Sequence, residues 1–292
     1  MRGIAGLLTA AVLVGAQASS GTPPNAGNSP DALGDALVDI GGRRLHVVCM
    51  GTGSPTVVME AGLNSSSRTW RVVQPAVAQV TRVCSYDRAG IGTSDPDPRT
   101  KAARRTSRTI IEDLEVLLRT AAITGPYVMV GHSLGGAHVR LFASRHPRDV
   151  IGMVLVDSSH EDQATRLSAT GYMPPPEPDP PKASQDPDRT DMLASLKEVG
   201  QAPWRANIPL VVLSHGRKIA VDSPGITQEQ AERVEEIWLQ LQRELASRSS
   251  EGRLIVARRS GHFVQSDEPQ LVIDAIRDVV VASRGSMTQL NR

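Results

Sequence analysis

Aromatic side chains are scarce in this chain of 292 residues, which holds three Trp, three Tyr and two Phe. A pocket built from it would therefore be mainly aliphatic. An excess of charge of either sign is missing too: 32 basic against 31 acidic residues leave +1, and no block of Lys and Arg stands out. Without such a block the sequence-independent attraction that nucleic-acid binding depends on is absent, so a nucleic-acid partner is excluded. Cysteine is limited to Cys49 and Cys84, whose spacing matches no metal motif. A hydrophobic content of 40% with 22% charged residues excludes both a disordered chain and a polytopic membrane protein.

A long apolar run is also lacking. The one at the start, Ile4 to Ala16, is shorter than the roughly 20 residues a membrane span needs. Arg2 precedes it and Ala16-Gln17-Ala18 follows, the layout of a signal peptide over residues 1–18, cut before Ser19, rather than of an anchor. Export is the expectation, either secreted or periplasmic, and loss of Arg2 brings the formal charge to zero, 31 basic against 31 acidic residues. In an oxidising compartment the two cysteines suit a disulfide, with two buried thiols as the alternative.

What is present begins with a Ser/Gly/Pro/Asn leader over 19–31 that has almost nothing to bury. One folded domain over 32–292 is expected after it. Leu37 to Ile40, Gly41-Gly42 and Arg43 to Cys49 read as two strands joined by a glycine turn. Four short β-branched runs follow, at 55–59, 81–86, 127–130 and 150–156, of the kind buried on both faces of a parallel sheet. Between them Ile110, Leu114, Leu117, Leu118 and Ala121 form a helical stripe, with Glu112, Asp113 and Glu115 expected to face water. The rhythm breaks over about 158–207, through the prolines from Pro174 to Pro181, which reads as a lid inserted into the domain. Thr227 and Gln230 then fit a capping box for a helix whose apolar stripe includes Trp238, expected in the core. A strand over 254–257 and a helix over 269–282 end the domain.

The chemistry is carried by Gly131-His132-Ser133-Leu134-Gly135, a G-x-S-x-G motif between a predicted strand and a predicted helix. In that sharp turn a serine sits in a strained conformation with its hydroxyl exposed, and Gly131 and Gly135 supply the room. The free N–H groups of the helix that starts there face any negative charge forming beside Ser133. A serine hydroxyl is a poor nucleophile until a base takes its proton, so a histidine must reach it, held in turn by a carboxylate.

Four stretches resemble the α/β-hydrolase superfamily. They are Gly51 to Pro96 with its Tyr86-Asp87-Arg88-Ala89-Gly90-Ile91-Gly92-Thr93-Ser94, then Gly131 to Gly136, Val154 to Asp157 and Ser260 to Pro269. The resemblance implies an α/β fold: a mostly parallel, eight-stranded sheet with helices on both faces. It implies the chain order nucleophile, acid, histidine, which selects His262 as base. The acid in most members follows the strand after the lid, but here that strand runs into Ser214-His215-Gly216-Arg217 with no carboxylate before Asp222. Other members carry the acid at the end of the preceding strand, where Asp157 stands, so Asp157 is preferred and Asp222 kept as the alternative. The oxyanion hole implied is the backbone N–H of Leu134 with that of Leu63, in a loop that has Ala61-Gly62 where His-Gly is common. The family's strand order also makes the strands of Cys49 and Cys84 neighbours, within bridging range if their side chains share a face.

These expectations describe a secreted serine hydrolase that cleaves small-molecule carboxylic esters through an acyl-serine and needs no cofactor or metal. Amide or peptide cleavage is the first alternative. A catalytically idle binding protein on the same scaffold is the second, though it would have no need of Ser133 and His262 together.

Overall fold

The computed structural model describes residues 34–171, 187–202, 204, 207–218 and 226–290, with the side chains of 286–290 left aside. The expected signal peptide and leader, the proline run and Asp222 lie outside the described residues. Eight strands form one sheet: β1 (Asp35–Asp39), β2 (Arg44–Met50), β3 (Thr56–Glu60), β4 (Val83–Tyr86), β5 (Tyr127–His132), β6 (Val150–Val156), β7 (Leu210–His215) and β8 (Gly252–Ala257). Their order is β1-β2-β4-β3-β5-β6-β7-β8. The pairs β1·β2 and β2·β4 are antiparallel and every other pair is parallel.

The apolar runs are continuous because both faces are covered, and alternate residues serve different cores. On β6, Met153 and Leu155 join one cluster with Leu114, Phe142 and Leu245, while Val154 and Val156 join the other with Val73, Ile276 and Val280. Helices Ser107–Thr120, Leu134–Arg145 and Gln228–Ala246 therefore cover one face, and helices Val73–Val77 and Pro269–Leu290 the other. Among the described residues no helix is long and apolar enough to cross a membrane.

The capping box opens the helix Gln228–Ala246 as expected: Thr227 Oγ1 accepts from Gln230 N at 3.2 Å, and Gln230 Oε1 accepts from Thr227 N at 2.9 Å. Asp113 departs from expectation. It is buried, not solvated, because the register of its helix turns it toward Arg43 and Arg99, which both pair with it. Cys49 and Cys84 are direct partners across β2 and β4 and are joined by a disulfide. A bridge of this loop length constrains the unfolded chain by about 2 to 4 kcal/mol. Within the stretch expected to form a lid, about 158–207, the helix Met192–Gln201 packs on the helices Ser107–Thr120 and Leu134–Arg145.

Candidate active site

Ser133, Asp157, His215 and the loop Ser260 to His262 all lie at or just past the carboxyl ends of adjacent strands, β5 to β8, the edge where open α/β sheets place their ligands. Ser133 has φ 52° and ψ −125°, a conformation that a non-glycine residue adopts only when its surroundings force it. The forcing is visible at the neighbours. A Cβ on Gly131 would lie 2.5 Å from the Gly135 carbonyl oxygen, and one on Gly135 would lie 2.4 Å from that of Ala61. Only glycine lets the turn close this tightly against the helix and the loop after β3.

The Ser133 carbonyl accepts from Gly136 N at 2.9 Å and from Ser159 N at 2.9 Å, so it points into the protein. In a trans peptide the following N–H points the opposite way, which directs the amide of Leu134 outward. The loop after β3 is arranged by the same rule. Arg88 Nη1 donates to Ala61 O at 2.8 Å and Nη2 to Gly62 O at 2.6 Å, turning the Leu63 N–H away from Arg88. A Cβ on Gly62 would come 3.1 Å from Ser133 Cβ, so this loop lies directly against the serine.

Arg88 is itself buried and pairs with Glu60 at 2.5 Å and with Asp188 at 2.5 Å, and Asp188 also pairs with Arg105 at 2.6 Å. Burial opposes each of these charges. At Asp188 and Arg88 the pairing more than offsets it, holding Asp188 down to about 2 and raising Arg88 above its ordinary value, whereas at Arg105 burial prevails and lowers the pKa. Asp188 also accepts from Asn64 N at 3.2 Å. Replacing Arg88 with Met is expected to strip Glu60 of its arginine partner and leave Asp188 with Arg105 alone, and to cost about 3 to 5 kcal/mol, read as a lowered urea midpoint. An unchanged midpoint would show the cluster to be energetically idle.

Asp157 is fully buried at the end of β6, with φ 45°. Its Oδ2 lies 2.7 Å from His262 Nδ1, so the structure brings the expected base and acid together. Oδ1 accepts the His215 backbone N–H at 2.9 Å and the Trp238 indole N–H at 2.8 Å, and both oxygens lie within 2.9 Å of His215 Nδ1. Burial alone would raise this carboxyl's pKa, but the bonds from His215 and His262 pull it well below the carboxylate range. Ser133 meets the pair through its neighbour: the His132 ring centroid lies 4.7 Å from that of His262, and His132 Nε2 is 2.9 Å from the His262 carbonyl oxygen. Burial and the nearby His262 push His132 down to about 3, so it is neutral at ordinary pH. No hydrogen bond joins the Ser133 hydroxyl to His262 among the described residues, a contact that often tightens only when substrate is bound.

Two expectations change here. Trp238 is not a core residue: it reaches back over Asp157 and lines a cavity of about 580 Å³ with Leu167, Val234, Arg217, Lys218 and Glu235, open to His262. It does lie on the apolar stripe of the helix Gln228–Ala246, but that stripe runs on past the core to the edge of the site. His215 had no expected role. The one available signal is its place at the end of β7, next to the position where the acid is usual.

With this geometry the chain can be assigned: it belongs to the α/β-hydrolase superfamily. The family model described as the alpha/beta hydrolase fold matches residues 55–197. Among curated relatives, the uncharacterized protein YqjL of Bacillus subtilis is 32% identical over 234 residues, covering 80% of this chain and 86% of its own. An AB hydrolase superfamily protein of Gibberella zeae is 24% identical over 280 residues, covering 77% of this chain and 86% of its own. Among solved structures, the enol-lactonase of Burkholderia xenovorans LB400 shares the fold with a TM-score of 0.57 at 17% identity, covering 85% of this chain and 99% of its own.

Proposed function

We propose that the protein is a secreted serine hydrolase that cleaves carboxylic esters of small molecules through an acyl-serine intermediate. The observation that carries this reading is the 2.7 Å contact between His262 Nδ1 and the buried Asp157 carboxylate, beside a serine held in a strained strand-to-helix turn. With Nδ1–H donating to Asp157, His262 presents Nε2 unprotonated, the form a general base needs. Ser133 Oγ attacks the ester carbonyl carbon while His262 takes its proton. The carbonyl oxygen becomes an oxyanion, which the amides of Leu63 and Leu134 stabilise. Collapse breaks the bond to the alcohol, which leaves with the proton from His262, and water repeats the sequence in reverse roles to release the acid.

Leu167, Val234 and the Trp238 ring give the cavity an apolar wall suited to an aliphatic portion of the substrate. The disulfide suits an oxidising compartment and so supports export, as does the layout of residues 1–18. The test is labelling of the purified protein with a fluorophosphonate probe, followed by turnover of a panel of p-nitrophenyl esters of increasing chain length and of peptide anilides. Covalent labelling with turnover of esters is the expected result. Labelling with turnover of anilides alone would reassign the substrate to amides, and no labelling would leave the idle binding protein.

A further inference from the structure

His215 has carboxylates at both ends of its ring. Nδ1 lies 2.9 and 2.8 Å from the two oxygens of Asp157, and Nε2 lies 2.9 Å from Glu235 Oε2. An ionised carboxylate only accepts hydrogen bonds, so both contacts are made at once when both nitrogens carry protons, which is the imidazolium form. The ring is mostly buried and stacks on Trp238 at 5.8 Å between centroids. Burial alone would drive the proton off, but the bonds to Asp157 and Glu235 keep it on up to about 10.

We propose that His215 is a positioning residue that stands as a permanent cation on the acid of the triad, orienting Asp157 and offsetting its charge so that His262 is free to act as a base at lower pH. This rests on the function proposed above. The charges around His215 come from every element packed on it: Asp157 from the end of β6, Glu235 from the helix Gln228–Ala246, and His262 from the loop after β8 through the shared carboxylate. Arg217 and Lys218 line the same cavity from its own segment, and Arg217 is paired with Asp267.

The sign of the effect follows from the charges. With His215 cationic, Asp157, Glu235 and His215 together carry −1 beside His262. With a neutral side chain in its place they carry −2, which favours a proton on His262. The base is then available only at higher pH. The two rings share one carboxylate, close enough for the change to reach about one pH unit in a partly solvated site.

The experiment measures kcat/KM against pH for an ester turned over by the wild type, and for H215Q, whose amide can still donate to Asp157 but carries no charge. The acid limb of the profile is expected to move up by about one pH unit, while the high-pH plateau falls far less than in D157N. An acid limb that stays where it is in H215Q would overturn the proposal. Should H215Q not fold, the imidazole ¹⁵N spectrum of the wild-type protein decides: a ring of His215 protonated on both nitrogens from pH 7 to 9 supports the proposal, and a neutral tautomer at pH 7 defeats it. Failure here is separable from failure of the proposed function. If S133A is inactive and the limb is unmoved in H215Q, only the role of His215 is lost. If S133A turns over ester normally, the function itself is wrong.

Discussion

Ser133→Ala is expected to abolish fluorophosphonate labelling and to lower ester turnover by about 10⁴-fold or more while leaving the thermal midpoint nearly unchanged. The effect should be this large because the hydroxyl is the only group on this turn that can form the acyl intermediate, and its loss leaves just the oxyanion amides and substrate binding. Stability should not fall. The residue is strained at φ 52°, and alanine meets the same backbone demand without a buried hydrogen bond being lost. Labelling of the alanine variant at the wild-type rate would move the nucleophile elsewhere.

For Asp157→Asn the expected loss is also on the order of 10⁴-fold in kcat, with little change in KM. An amide at this position can donate to His262 Nδ1, which favours the tautomer with its proton on Nε2, and it removes the negative charge that stabilises the imidazolium in the transition state. The Oδ2 position, where that amide nitrogen would sit, also faces His215 Nδ1, so this donor meets an NH₂ group and keeps only Oδ1. A loss of stability of about 1 to 3 kcal/mol should accompany the loss of rate. Asp222→Asn is the control and should change kcat less than about threefold. The reverse ranking of the two variants would transfer the acid to Asp222 and leave the His262–Asp157 contact as a structural bond.

How far each feature was legible depended on how far along the chain its cause lay. The nucleophile turn could be read directly, because its requirement for a serine flanked by glycines between a strand and a helix is met by neighbours within a few residues. The sheet could be read from β-branched runs of strand length, and the helix Gln228–Ala246 from its capping box and stripe. The choice of His262 came from chain order implied by the resemblance. The burial of Asp113 is not legible, since helical periodicity gives the face of a residue but not the arginines that other segments bring to it.

By itself, then, the sequence determined the local geometries: where strands and helices start, which serine is strained, and which apolar stripes need a sheet to cover them. These follow from short-range sterics and from the periods of strand and helix, which depend on nothing distant. Only the tertiary structure decided what surrounds each charge. It set Arg88 against Asp188, a hundred positions away, to fix the loop beside Ser133. It also gathered His215, Trp238 and His262 from three elements onto the one buried carboxylate of Asp157. Such contacts depend on strand register and on which helix crosses the end of the sheet, and because a buried charge must find its partner wherever the fold supplies one, the pattern along the chain carries no mark of it.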